Sequence, residues 1–88
     1  MQSSELVMNN PRGLHLRVAA EIVKLTRGSD THVTLSREGE RSADGGSIMD
    51  LLMLEAAPGT KVRVDVEGPS EQAVAVRIAE LFSDGAGI

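Results

Sequence analysis

The chain has 88 residues, a formal net charge of −4, no Cys, Trp or Tyr, and one aromatic, Phe82. That length suits one domain, and the missing Cys exclude disulfide frameworks, thiol redox chemistry and Cys-ligated zinc or iron–sulfur centres. A lone aromatic cannot build a base-stacking platform, and 13 acidic against 9 basic side chains, interspersed along the chain, speak against a nucleic-acid partner.

In chain order, Glu5 to Met8 read as the end of a short strand, with Leu6 and Met8 on one face and Val7 on the other. Asn9-Asn10-Pro11-Arg12-Gly13 is a cluster of turn formers. From Leu16 to about Thr26 the spacing is helical. Leu16, Ala19, Ala20 and Val23 make a stripe that Ile22 and Leu25 widen, and Gly28 is the expected C′ residue. Thr31 to Arg37 alternates: Val33 and Leu35 point inward, and His32, Thr34 and Ser36 outward. Glu38-Gly39 signals a turn, Glu40 to Ala43 a return strand, and Asp44-Gly45-Gly46 a break. Gly45-Gly46-Ser47 reads as a plain turn rather than an anion nest. Ser47 with Asp50 fits a variant capping box, predicting a two-turn helix over Ile48 to Leu54. Pro58-Gly59 gives a turn. Lys61 to Glu67 is the cleanest strand, with Val62, Val64 and Val66 facing the core. Gly68 or Ser70 caps the last helix, Glu71 sits in its first turn, and Val74, Ile78, Leu81 and Phe82 form its buried stripe. Residues 85–88 are expected to fray, starting at Asp84.

The order is β-α-β-β-α-β-α, one α+β domain over residues 1–88. Helices are expected on one face of an antiparallel sheet, and His32 and Arg63 on the other, exposed face. The polar start, Met1 to Glu5, carries no targeting pattern, and no apolar stretch has the length of a membrane span. A cytoplasmic location, no membrane insertion and a monomeric state are expected. So small a domain has little room for an internal active site, which places any chemistry at the surface.

Two His residues without a third His or a Cys give no metal-ligand spacing, so neither a metal nor a cofactor is expected. His32, on the polar side of a strand, reads as surface filler. His15 differs in position, because it joins a Gly-containing loop to a helix start. The backbone N–H groups of Leu16, Arg17 and Val18 lack intrahelical partners there. A neutral imidazole would offer a lone pair as nucleophile, and the positive helix end would favour a dianionic group placed on it. Arg17 is near enough in sequence to pair with the same anion. Loop Gly, His, Arg and helix N-terminus together suit a phosphoryl acceptor.

Gly13-Leu14-His15-Leu16-Arg17-Val18-Ala19-Ala20 resembles the phosphohistidine motif of the HPr family, phosphocarriers of the bacterial phosphoenolpyruvate-dependent phosphotransferase system. The likeness continues through Gly46-Ser47-Ile48-Met49, Leu52, Pro58-Gly59-Thr60 and Glu67-Gly68. Asp50-Leu51-Leu52-Met53-Leu54 and Glu67-Gly68-Pro69 look closer to the nitrogen-related paralogue. The resemblance implies an open-faced β-sandwich, with a four-stranded antiparallel sheet of order 1-4-2-3 under three helices. Periodicity alone does not give that order, and a ferredoxin-like arrangement shares most of the elements. The resemblance also implies phosphorylation of His15 on Nδ1 by enzyme I, passage of the group to a IIA protein or domain, and a phosphate steadied by Arg17. The chain would then be a stoichiometric carrier rather than a turnover enzyme.

Val18 departs from the family's usual Pro, so phosphorylation is expected to survive at an altered rate. Arg12 replaces a small or polar residue, and is expected either to add charge beside the site or simply to be solvated. Ser47 matches a serine that HPr kinase/phosphorylase modifies in some bacteria. It is also the natural cap of its helix, and Asp50 would oppose a phosphate there. Leu16, Ile48, Met49 and Leu52 are the implied docking residues for partners, to which adaptable Met is suited. The competing reading is a regulatory or interaction module of the same fold that carries no phosphate.

Overall fold

Val62, Val64 and Val66 alternate with Lys61, Arg63, Asp65 and Glu67, and this alternation places a strand with one buried and one wet face at the centre of the sheet. The computed structural model describes residues 1–37 and 41–84. The expected turn at Glu38-Gly39, the strand start at Glu40 and the fraying of residues 85–88 lie outside the described residues. Seven elements follow in order: β1 (Gln2–Val7), α1 (Leu16–Gly28), β2 (His32–Arg37), β3 (Arg41–Asp44), α2 (Ile48–Met53), β4 (Lys61–Glu67) and α3 (Glu71–Asp84).

The four strands form one sheet of order β1-β4-β2-β3 with every neighbour antiparallel. Register explains the burial. Val64 of β4 lies between Ser4 and Leu35, and Val66 lies between Gln2 and Val33. Val33, Leu35, Val62, Val64 and Val66 are buried with Val18, Ala19 and Ile22 of α1, Leu51 of α2, and Val74, Ile78, Leu81 and Phe82 of α3. The opposite face is polar and open. There Ser3 donates its hydroxyl hydrogen to Asp65 at 2.7 Å, the Arg63 Nε–H donates to the same carboxylate at 3.1 Å, and His32 stands opposite Glu67. This is the open-faced sandwich with three helices on one side that the resemblance implies.

Four local expectations need correction. β1 ends at Val7 rather than Met8, and it reaches back to Gln2, where a mostly exposed edge strand leaves no hydrophobic alternation to read. The buried stripe of α1 is Val18, Ala19, Ile22 and Thr26, while Leu16 faces solvent. Gly28 belongs to the helix itself, with Ser29 as C-cap, and Asp30 rather than Gly28 takes the left-handed backbone, φ 55°. The capping box at α2 is half formed. Ser47 Oγ accepts from the Asp50 N–H at 3.2 Å, but the Asp50 carboxylate accepts from the Asp44 N–H instead. The Ser47 N–H is satisfied by the Asp44 carbonyl at 3.0 Å. The Pro58-Gly59 turn forms as expected, with Thr60 N–H donating to the Ala57 carbonyl at 3.1 Å and Gly59 at φ 90°.

Candidate functional site

The loop between β1 and α1 is tied at each step. Met8 is buried and exchanges two backbone hydrogen bonds with the following turn, N–H to the Thr60 carbonyl at 2.9 Å and carbonyl to the Gly59 N–H at 2.8 Å. Asn9 N–H donates to the carbonyl of Phe82 at 3.1 Å, which holds the loop against the end of α3. Asn10 then folds the chain back: its Oδ1 accepts from the Arg12 N–H at 3.0 Å and its carbonyl from the Gly13 N–H at 2.9 Å. Gly13 has φ 70°, and a Cβ there would lie 2.6 Å from the Ala56 carbonyl oxygen. Only glycine satisfies both conditions. Leu14 is buried and donates its N–H to that same carbonyl at 2.9 Å.

The chain thus delivers His15 in extended backbone to the N-cap of α1. The Arg17 N–H donates to His15 Nδ1 at 3.3 Å, and the Ala19 N–H donates to the His15 carbonyl at 2.9 Å. An imidazole nitrogen that accepts a hydrogen bond holds a lone pair, so in the neutral ring this contact assigns the proton to Nε2. Nε2 is itself buried without a hydrogen-bond partner. The two ring nitrogens therefore differ: Nδ1 carries the lone pair in a bond at the surface, and Nε2 is walled off. The first turn of α1 contains no acidic residue to offset its positive end.

Among the backbone groups expected to receive an anion, that of Arg17 is seen facing the imidazole. The Val18 side chain is fully buried, so this position contributes to the core as well as to the helix start. Arg17, Lys24 and Arg27 are exposed along α1. Helices α1 and α2 run antiparallel. Leu14, before α1, bonds to Ala56, beyond α2, and Arg27 Nε donates to the Gly46 carbonyl, before α2, at 3.1 Å. On this layer Leu16 is 61%, Met49 68% and Met53 57% exposed. Ile48 is also exposed, whereas Leu52 is half-buried against the core. Met53, nearly as exposed as Leu16, lies outside the expected docking set, because periodicity in a two-turn helix does not say which of its apolar residues the fold covers. His32 stands exposed on the open sheet face, apart from His15. An open depression of about 700 Å³ lies along α3, lined by Pro69, Ser70, Gln72, Ala73, Val76, Arg77 and Glu80, and touches neither His.

Residues 2–84 match the protein family PTS-HPr, described as "PTS HPr component phosphorylation site". The chain belongs to the HPr family. It is 36% identical over 85 residues to the phosphocarrier protein HPr of Chlamydia muridarum, covering 97% of this chain and 81% of the relative. It is 32% identical over 78 residues to the phosphocarrier protein NPr of Escherichia coli K12, covering 89% and 87%, in keeping with the likeness to the nitrogen-related paralogue. In fold it is similar to the HPr-C-His crystal structure from Thermoanaerobacter tengcongensis, with a TM-score of 0.89, 23% identity, and coverage of 100% of this chain and 98% of that one. Membership of the HPr family supports a phosphocarrier role in the phosphotransferase system and implies interaction with that system's enzymes. No helix of the described residues is long and apolar enough to cross a membrane.

Proposed function

We propose that His15 accepts a phosphoryl group on Nδ1 from enzyme I and hands it to a IIA protein or domain. The observation that supports this most directly is the inequality of the two ring nitrogens. Nδ1 has its lone pair in a long hydrogen bond of 3.3 Å at the surface, and Nε2 is buried. A bond of that length is weak and readily exchanged. The Nδ1 lone pair attacks phosphorus in line, the phosphorus bond to the donor breaks, and its electron pair leaves with the donor. The Arg17 N–H then moves from the nitrogen lone pair to a phosphate oxygen. The N–H groups of Leu16 and Val18 and the Arg17 guanidinium add to the same charge. The reverse geometry serves delivery to the acceptor, so the protein supplies position and charge and is regenerated.

In this reading Leu16, Ile48, Met49 and Met53 meet the partners, with Leu52 supporting them from beneath. The relay operates in the cytoplasm, in sugar uptake or regulation. Ser47 serves first as the cap of α2. Regulatory phosphorylation there would replace the hydroxyl that accepts from the Asp50 N–H with a dianion at the helix start, opposed by the Asp50 carboxylate one turn on.

The test is incubation with phosphoenolpyruvate and enzyme I, followed by intact mass. One acid-labile, alkali-stable phosphate is expected on the wild type and none on His15→Ala. No uptake by the wild type, or label that persists in His15→Ala, would overturn the reading.

A further inference from the structure

Three polar side chains are buried among the described residues: Asn10, Thr26 and Thr31. The two threonines are accounted for locally, since their hydroxyls donate to the Ile22 and Ser29 carbonyls at 2.8 and 3.0 Å. Asn10 is different. It is fully buried, its Oδ1 is used by the Arg12 N–H, and its Nδ2 has no hydrogen-bond partner. A buried amide donor without an acceptor lowers stability, a cost carried beside the turn that the Oδ1 of the same side chain closes. The other buried, unpartnered side-chain atom among the described residues is His15 Nε2, in the same loop. Local cost concentrated beside a reactive group points to a functional demand on that loop.

We infer that Asn10 is a positioning residue for phosphoryl transfer at His15, acting through the turn that it closes. The chain of contacts is short. Asn10 accepts from the N–H groups of Arg12 and Gly13 with its side chain and its carbonyl. That pair sets the turn whose last residue, Gly13, lies against the Ala56 carbonyl, and the next residue, Leu14, bonds to it. His15 follows directly, and its ring meets the Arg17 N–H only if the loop enters α1 at this angle. Remove the Oδ1 acceptor, and the Arg12 N–H is released, the turn opens, and the imidazole samples orientations in which Nδ1 is no longer aligned. This inference rests on the phosphocarrier reading for its consequence but not for its geometry.

Two variants separate the acceptor from the bulk of the side chain. Asn10→Ala and Asn10→Ser both delete the unpartnered Nδ2 and differ by one oxygen, and Ser can accept from the N–H two residues on. Single-turnover phosphorylation by phospho-enzyme I is expected to slow by about tenfold to a hundredfold in Asn10→Ala, since small misplacement of a reacting atom costs that much. Final stoichiometry should stay at one phosphate, and Asn10→Ser should recover much of the rate. The amide resonance of Arg17 should move in Asn10→Ala and return in Asn10→Ser. Equal rates and equal Arg17 shifts in the two variants would overturn the inference, as would an Asn10→Ala protein as fast as the wild type. Should the wild type take no phosphate, the phosphocarrier reading fails, while the Arg17 resonance still decides whether Asn10 positions the ring.

Discussion

Gly13→Ala tests whether the loop that carries His15 is held as tightly as its contacts imply. Two costs add. The residue must keep φ near 70°, where an L side chain loses about 1–2 kcal/mol. Its Cβ would also lie 2.6 Å from the Ala56 carbonyl oxygen and 3.2 Å from the Ala57 Cα, both backbone atoms that cannot swing aside. Relief of that overlap pushes Ala56 away from the Leu14 N–H, at a further cost of about 1 kcal/mol for the strained hydrogen bond. The sum is about 2–3 kcal/mol, a fall in Tm of roughly 10–20 °C for a domain of this size. Thermal melts followed by far-UV circular dichroism measure it. Gly28→Ala serves as the opposite control, because nothing lies within 4 Å of its Cβ position, and that variant should melt slightly higher. If Gly13→Ala lost less than about 1 kcal/mol, the loop would be free to relax and the described clamp on Ala56 would be wrong.

Glu55 has φ 55°, its N–H donates to the Leu52 carbonyl at 3.2 Å and its carbonyl accepts from Arg37 Nη1 at 3.0 Å; both bonds use the backbone, so Glu55→Gly keeps them and should stabilise by about 0.5–1 kcal/mol after the entropy cost of glycine, and a lower Tm would argue against strain there. Val18→Pro costs no helical hydrogen bond in the first turn but removes a donor near the phosphate and a buried side chain, so His15 phosphorylation should continue at a changed rate; an identical rate would make the departure from the family neutral. Replacing Met49 and Met53 together by Ser should raise KM for phosphoryl transfer several-fold and shift stability by less than about 0.5 kcal/mol, because both side chains are exposed; an unchanged KM would remove α2 from the docking surface. The Ser3 hydroxyl above all, with partial burial working against it and the Arg63 guanidinium adding to it, holds the Asp65 carboxyl below its ordinary value. Stability from that depressed carboxyl is present above the unfolded value and is lost as pH falls through the folded one, so Asp65→Asn should flatten the acid limb of a denaturant midpoint against pH profile; parallel profiles would refute it.

The elements that could be read from sequence were those with one face in the core. β4 shows its alternation because Val62, Val64 and Val66 have a layer of helices beneath them, and α3 shows its stripe for the same reason. β1 was half hidden because Gln2, Ser3 and Ser4 are exposed, so pairing with β4 rather than burial makes them a strand. The phase of α1 at its start is not legible in the sequence. Leu16 and Val18 are both apolar, and only packing on the sheet decides that Val18 turns inward and Leu16 outward. Strand order depends on contacts distant in sequence and came from the family resemblance. His15 was legible because helix capping is local, and Arg17 followed from it. Asn10 was not, since a turn-forming Asn looks the same whether it is exposed or fully buried.

Phe82 is the only aromatic residue in the chain, and its carbonyl receives the N–H of Asn9 at the start of the His15 loop. The protein therefore has one phenyl ring, whose carbon-bound ring signals share the aromatic region only with two imidazoles, fixed where α3 meets that loop. Any event that reshapes the loop, whether phosphate on the imidazole or a partner settling on the helices, has a spectroscopic witness already in place. The same scarcity leaves near-ultraviolet absorbance almost blank, so a tryptophan- or tyrosine-bearing partner can be watched by its own fluorescence in a mixture with this one.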